Sequence, residues 1–404
     1  MAIFNYFDKS IMKKLVLNLI IVLTFIACNN SDFENEEIIL PASNQIFYSS
    51  INGNVTTPYK ASSFGDAMII SNVYENGQGI ITFDKNLTTI ESYAFSNCNT
   101  LTKILLPNSV NKIENGAFGG CSALISINIP KNVKKIGNNA FSSCICLTSI
   151  NIPEGVIDIG QGAFSGCKSL SNILLPNSLN KIGDDAFFDC RTLSNITIPE
   201  NVKEIGYGVF QHCSSLSTFN GKLASNDGRC LIIDGEIKSF AQANITQYTI
   251  PEGISKIGKK VFANCNKITN IIIPAGVTNI GSWSFFQCTS LNSITIPEGV
   301  VQIEERAFSE CKSLSYLTIP SSITNIGDCT FCLCNSLKNI FLKPIYPPTI
   351  GYEVFYGQHK NNTFGPLSCK IYVPLNSVND YKTAEGWKIY ADFNCIEGYA
   401  YTEQ

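Results

Sequence analysis

The chain has almost no histidine: two in 404 residues, His212 and His359. That scarcity weighs against most acid–base and metal chemistry. It also lacks a charge excess, with 29 basic against 32 acidic residues and a formal net charge of −3. There is therefore no basic stripe of the kind that nucleic acid requires. No phosphate-cradling glycine loop, G-x-S-x-G elbow or H-E-x-x-H helix occurs. Paired acids do occur, as Asp184-Asp185 and Glu304-Glu305. They fall at outward turn positions with nothing to wall off a pocket, so solubilising charge is expected rather than a glycosidase dyad. His212 stands beside Cys213 at a variable surface position and His359 in a polar loop, and both are expected to be solvated. A non-catalytic chain without cofactor is the expectation.

Only one long apolar run is present, Leu15 to Ala27, preceded by Lys13 and Lys14. The charged start and short apolar stretch have the form of a secretory signal, and the run is short for a membrane span. It ends in Phe25-Ile26-Ala27-Cys28, which resembles a bacterial lipobox, with phenylalanine where leucine is more usual. Cys28 would then be the lipidated first residue of the mature protein. The polar, acidic stretch Asn29 to Glu37 reads as a tether, too poor in apolar surface to fold alone. Acids soon after the lipid cysteine resemble the surface-export signals of Bacteroidota lipoproteins, and a plain solvated linker looks the same. Any membrane contact is expected through Cys28 alone.

What the chain has in abundance is rhythm. Prolines fall at 107, 130, 153, 176 and 199, then at 251, 274, 297 and 320, always 23 residues apart within each block. Phenylalanines from Phe95 to Phe331 and cysteines from Cys98 to Cys334 keep the same beat over ten units. In one unit, Ile125 to Pro130 alternates as a short strand, with Ile127 and Ile129 inward. Pro130 ends the strand, having no N–H to give a neighbour. Val133 and Ile136 point inward, Gly137 turns the chain, and Ala140 makes room for the Phe141 ring. Cys144 closes the coil. No coil could bury that set alone, so a stacked array is required. With strands about 4.8 Å apart, ten coils make a curved rod on the order of 50 Å long.

The unit Leu147-Thr148-Ser149-Ile150-Asn151-Ile152-Pro153, continued through Val156, Ile159-Gly160 and Ala163-Phe164 to Cys167, resembles the BspA-type leucine-rich repeat. Ser284 and Thr330 replace its alanine; Glu114 and Glu304 replace its glycine. The implied fold is an α/β solenoid, a curved array of 23-residue coils with short parallel strands joined by turns or short helices. The expected divisions are signal peptide 1–28, tether 29–39, N-terminal cap 40–83 and a first repeat block 84–219. A β-hairpin insert 220–250, a second block 251–343 and a C-terminal cap 344–404 follow. The insert carries turn sequences at Asn226-Asp227-Gly228 and Asp234-Gly235. Cys369 to Pro374 and Tyr381 to Trp387 resemble the usual cap. The resemblance implies exported or surface-anchored proteins of host-associated bacteria and some protists, some implicated in adhesion. It supplies no catalytic residues and names no ligand.

Ten of the seventeen cysteines belong to the beat. Equivalent Cβ atoms on stacked coils lie about 4.8 Å apart, against about 3.8 Å in a disulfide, so a reduced column is expected. Cys329, Cys332 and Cys334 form C-x2-C-x-C, but a structural zinc site wants matched pairs and no partner pair is evident, so no metal is expected. Cys369 and Cys395 could pair, and spacing does not fix connectivity. The candidate binding face is the outward side of the strands: Ser126, Asn128, Ser149, Asn151, Asn172, Asn195, Thr197, Asn270, Ser293, Thr295, Tyr316 and Thr318. It is either a ligand ribbon or a merely solvated strand face. The expected protein is a monomeric binding or adhesion scaffold, anchored at the outer membrane through Cys28 and facing outward. Its partner would be a host or microbial protein or a glycan. The alternative is a periplasmic structural or assembly lipoprotein with no external ligand.

Overall fold

The computed structural model of the protein describes residues 40–59, 63–358 and 364–401. The expected signal segment, Cys28, the acidic tether and His359 lie outside the described residues. Over the repeats the chain winds into a parallel β-solenoid. Each coil contributes two short strands, such as Ser149–Asn151 and Asp158–Ile159. Both stack on their counterparts 23 residues away: Ile150 on Ile173, and Ile159 between Ile136 and Ile182. Of the two linkers left open by the sequence, turns or short helices, the repeats use turns. Among the described residues, α-helices occur only in the C-terminal cap, at Val378–Thr383 and Lys388–Asp392. No helix there is long and apolar enough to cross a membrane.

Turns are possible because left-handed residues recur at two positions per coil, for example Asn139 (φ 54°) and Ser143 (φ 60°). A turn leaves backbone groups without partners inside its own segment, and here the adjacent coil takes them. The N–H groups of Phe118, Phe141 and Phe164 donate to the carbonyls of Ala140, Ala163 and Ala186, each at 2.8 Å. That register stacks the rings of Phe95 through Phe210 with centroids 5.4 Å apart and planes within 6°. Gly137 has a different reason from the one its position suggested. Its φ is not left-handed; a Cβ there would lie 2.5 Å from the Glu114 carbonyl carbon, so glycine permits close approach between coils.

The cysteine column is reduced, and it does more than fill space. The thiols of Cys121, Cys144, Cys167, Cys190 and Cys213 each donate to the carbonyl of the phenylalanine 26 residues earlier, at 3.0–3.3 Å. Cys288, Cys311 and Cys334 repeat the bond in the second block. The same carbonyls already accept the N–H of their own coil's cysteine, as Phe118 does from Cys121. Both lone pairs are thereby used. Cys369 and Cys395 are also buried free thiols.

The ends are closed by different devices. At the start, Gln45–Ser50 runs antiparallel between Gln78–Phe83 and Leu101–Leu105, and Phe64 lays its ring against Phe83 and Phe95. At the other end Trp387 Nε1 and Tyr381 Oη donate to the carbonyls of Pro348 and Pro344 at 2.8 Å. Between the blocks, Cys230–Ile233 and Glu236–Phe240 form a hairpin whose second strand stacks in parallel on Lys256–Ile257. One strand column ends at Glu204–Ile205 and a new one begins at this hairpin. The apolar core divides at the same place.

One residue of the expected binding face belongs to the scaffold. Asn128 accepts the Leu106 N–H through Oδ1 (2.7 Å) and donates to the Leu106 carbonyl through Nδ2 (2.9 Å), imitating a strand partner. One acid of each expected pair is likewise a staple between coils rather than loose surface charge. Asp184 Oδ1 accepts the Tyr207 N–H at 2.8 Å, and Glu304 takes both the N–H and the hydroxyl of Ser282. Burial raises the Glu304 carboxyl, but the two Ser282 bonds, the Asn279 side chain and nearby Lys256 together leave the group below its ordinary range.

Asn128→Ala should lower stability by about 1–3 kcal/mol in urea unfolding, because it strands two backbone groups. Asn151→Ala, at an exposed strand position, should change it by less than about 0.5 kcal/mol. Thiol labelling checks the column. Burial pushes the Cys167 thiol up to about 12, so it stays protonated and unreactive as pH rises toward about 9. Exposed Cys146 should label in the native protein, and the buried column only after unfolding. Rapid native labelling of Cys167 would contradict this packing.

Candidate binding surface

The outward strand face is made by simple alternation. In Ser149–Asn151 and Asn195–Thr197 the central isoleucine is buried and both flanking residues are exposed. Parallel stacking then aligns equivalent outward residues in files: Ser149 beside Asn172, Asn195 beside Thr218, and Asn270 beside Ser293. Ser149, Asn151, Asn172, Thr197 and Thr295 are exposed and make no side-chain hydrogen bond to another described residue. Ser126 and Asn270 are half-buried at equivalent positions. Asn195 and Ser293 bond only their chain neighbours, Ser194 and Asn292. With Asn128 removed to the scaffold, the remaining predicted residues lie on one side of the two strand stacks. The face is not wholly polar: Leu174 and Ile272 stand outward in the same files, 62% and 51% exposed.

The file changes character at its C-terminal end. Tyr316 is half exposed, with its hydroxyl accepting from Thr318 Oγ1 at 3.0 Å. Its ring meets Phe341 at 5.3 Å; Phe341 stacks on Tyr372 at 4.8 Å and touches the edge of Tyr399 at 5.3 Å. Register explains the cluster, since Tyr316–Ile319, Asn339–Leu342, Lys370–Pro374 and Ile396–Tyr399 are successive strands of one sheet. Tyr401 joins the group against Tyr399 and donates its hydroxyl to the Leu342 and Tyr372 carbonyls. Its hydroxyl is held protonated, raised by burial. Sequence reading singled out Tyr316 as a candidate and did not single out its ring neighbours Phe341, Tyr372 and Tyr399. The signal available was alternation in the last strands, where aromatic residues take outward positions that hold serine, threonine or asparagine elsewhere.

A second concavity opens at the seam between the blocks, a cleft of about 320 Å³. It is lined by turn residues from both sides, including Asp189, Arg191, His212, Asn264 and Lys267. His212 is exposed and meets the Phe188 ring edge-on at 5.0 Å. Lys260 reaches across to Asp185 at 3.9 Å, and burial raises the Asp185 carboxyl more than that lysine lowers it. The cleft lies where Gln242 to Ile245 carry the chain from the hairpin into the second block.

Comparison with known proteins follows this geometry. A profile of the BspA type leucine rich repeat region matches six copies, over residues 67–167, 134–265 and 236–363. No curated protein sequence matches. Among solved structures, a leucine rich cell surface protein from Faecalibacterium prausnitzii is 26% identical, with a TM-score of 0.50, covering 70% of this chain and 86% of that one. A leucine-rich repeat protein from Bacteroides ovatus is 24% identical with a TM-score of 0.50, over 82% of this chain and 90% of the other. The pneumococcal vaccine antigen PcpA is 20% identical with a TM-score of 0.61, over 83% and 88%. The last two show likeness of fold. A leucine-rich repeat scaffold is what the fold and these matches have in common. With its repeats matched across most of its length, the chain belongs to the BspA-type leucine-rich repeat family.

Proposed function

We propose that this protein is an exported, lipid-anchored adhesion scaffold of a Bacteroidota cell surface, which binds an extended protein or glycan partner along its strand face. One observation carries the reading: the outward strand files, mostly short polar groups with Leu174 and Ile272 among them, lead into the aromatic cluster of Tyr316, Phe341, Tyr372 and Tyr399. Aromatic rings supply contact area at low entropic cost, and Ser, Thr and Asn supply adaptable hydrogen bonds. An anchor with a polar track suits a partner lying along the strand stack. The near-neutral charge favours neither nucleic acid nor electrostatic capture. Export and anchoring rest on the Lys13-Lys14 to Cys28 segment, and outward exposure on the acidic stretch after it.

The test is a glycan array and a protein pull-down with the wild-type chain and with Tyr316→Ala/Tyr399→Ala. Each hot-spot ring is worth about 1–2 kcal/mol, so the double variant should bind its partner at least about tenfold more weakly. Undiminished binding would remove the aromatic cluster from the site. Protease shaving of intact cells checks the location, and complete protection would favour a periplasmic structural role. Cys28→Ala should release the protein from the membrane fraction.

A further inference from the structure

The C-x2-C-x-C segment does not behave as one unit. Cys334 turns inward, and its thiol donates to the Phe308 carbonyl at 3.2 Å as a member of the column. Cys329 and Cys332 stay outside it. At the position of Cys329, the other coils carry residues as different as Tyr93, Gly162, Lys260 and Arg306. At the position of Cys332 they carry Ser96, Ser142, Ser165 or Ser309, among others. Repeat packing therefore requires neither thiol. The next coil slips by one residue, which brings Glu353 over Cys329: both are left-handed turn residues, φ 54° and 51°. Cys329 Sγ lies 3.8 Å from Glu353 Oε2, and the three ligand atoms of Cys329, Cys332 and Glu353 all lie within 4.8 Å of one another.

We propose that Cys329, Cys332 and Glu353 form a three-ligand site for a thiophilic divalent cation of the zinc class, with its fourth position open to solvent. Two thiolates and a carboxylate are a donor set that zinc accepts, and three protein ligands leave room for water. The ligands are held before the ion arrives. Cys329 N–H donates to the Tyr352 carbonyl at 2.8 Å, Cys332 N–H to the Cys329 carbonyl at 3.1 Å, and Tyr352 N–H to Asp328 Oδ1 at 2.8 Å. Burial, with Cys329 and Glu353 alongside, pushes the Cys332 thiol up, and the Tyr356 backbone N–H offsets this only in part, so the cation must displace the proton. The Cys332 thiol donates to the Glu353 carbonyl at 3.0 Å, a bond that metal binding would exchange for coordination. Arg306, one coil earlier, is the nearby cation on the same file. Its guanidinium is occupied by the Trp283 ring at 4.8 Å and by Glu305 at 3.4 Å. Binding releases both thiol protons to solvent, so affinity falls as pH falls. The ion would bridge the last regular coil to the one beneath the C-terminal cap.

The experiment is a titration of the full chain, reduced and stripped of metal, with Co²⁺ as a spectroscopic probe and Zn²⁺ as competitor. The expected result is one Co²⁺ per chain with a sulfur-to-cobalt charge-transfer band, displaced by Zn²⁺, and a higher Tm with Zn²⁺ present. C329S and C332S should each abolish the band. E353Q should weaken Zn²⁺ binding at least about tenfold, the scale on which metal-site substitutions act. Serine already stands at the Cys332 position in other coils, so C332S retains the fold, and circular dichroism verifies this for each variant. C146S, which removes the exposed thiol, should change nothing. No band in the reduced chain, or a band that survives C329S and C332S together, would overturn the site. So would a chain that binds no Co²⁺ and only loses two hydrogens on oxidation, as a Cys329–Cys332 disulfide would.

Discussion

A backbone built of turns and two- or three-residue strands cannot satisfy its own hydrogen bonds, and every coil depends on its neighbour for them. The 2.8 Å bonds from Phe118 and Phe141 to the alanine carbonyls of the next coil express that dependence. They set the separation between coils, and the separation selects the side chains. Glycine stands at position 137 because a Cβ would collide with the backbone of the coil beside it. Phenylalanine rings stack in parallel because identical rotamers are translated along one axis. Cysteine suits the remaining corner because it is small, apolar and still able to donate to a carbonyl whose other lone pair is already used.

That dependence also separates scaffold from surface. Inward positions and inter-coil staples are dictated by translation, whereas the outward strand positions carry no packing duty. Ser149 and Asn172 can differ because only solvent or a partner meets them. Asn128 breaks this division, since its amide closes a ladder position beside Leu106. The aromatic cluster breaks it in the other direction. Phe341 and Tyr372 are partly packed on each other and still lie on the outward side of the sheet.

Most of the fold was legible because a 23-residue beat in three residue types leaves one way to stack the coils. The features that escaped share a cause: their partners lie outside that beat. The thiol acceptors are main-chain carbonyls 26 residues back, and main-chain atoms leave no trace in residue spacing. Asn128 is indistinguishable in sequence from Asn151, yet one binds backbone and the other faces solvent. Tyr372 and Tyr399 fall in the closing strands, where the spacing no longer holds at 23, and Phe341 keeps the spacing but stands where the two preceding coils carry Thr318 and Thr295. Glu353 was hidden by the single-residue slip that carries Phe331 to Phe355. Linkers were ambiguous between turns and helices until the left-handed residues appeared in the structure.

The hairpin seam has a consequence for how such an array fails. In a stacked solenoid, stability is carried by nearest-neighbour contacts, and unfolding spreads from coil to coil. Here the strand column stops at Glu204–Ile205, the core changes clusters, and the two sides are joined by contacts such as Ala243 to Leu216 and Lys260 to Asp185. Fraying that starts at one end therefore meets a discontinuity partway along, where neither the strand column nor the apolar cluster continues. Loss of order at one end then has fewer contacts through which to reach the other block.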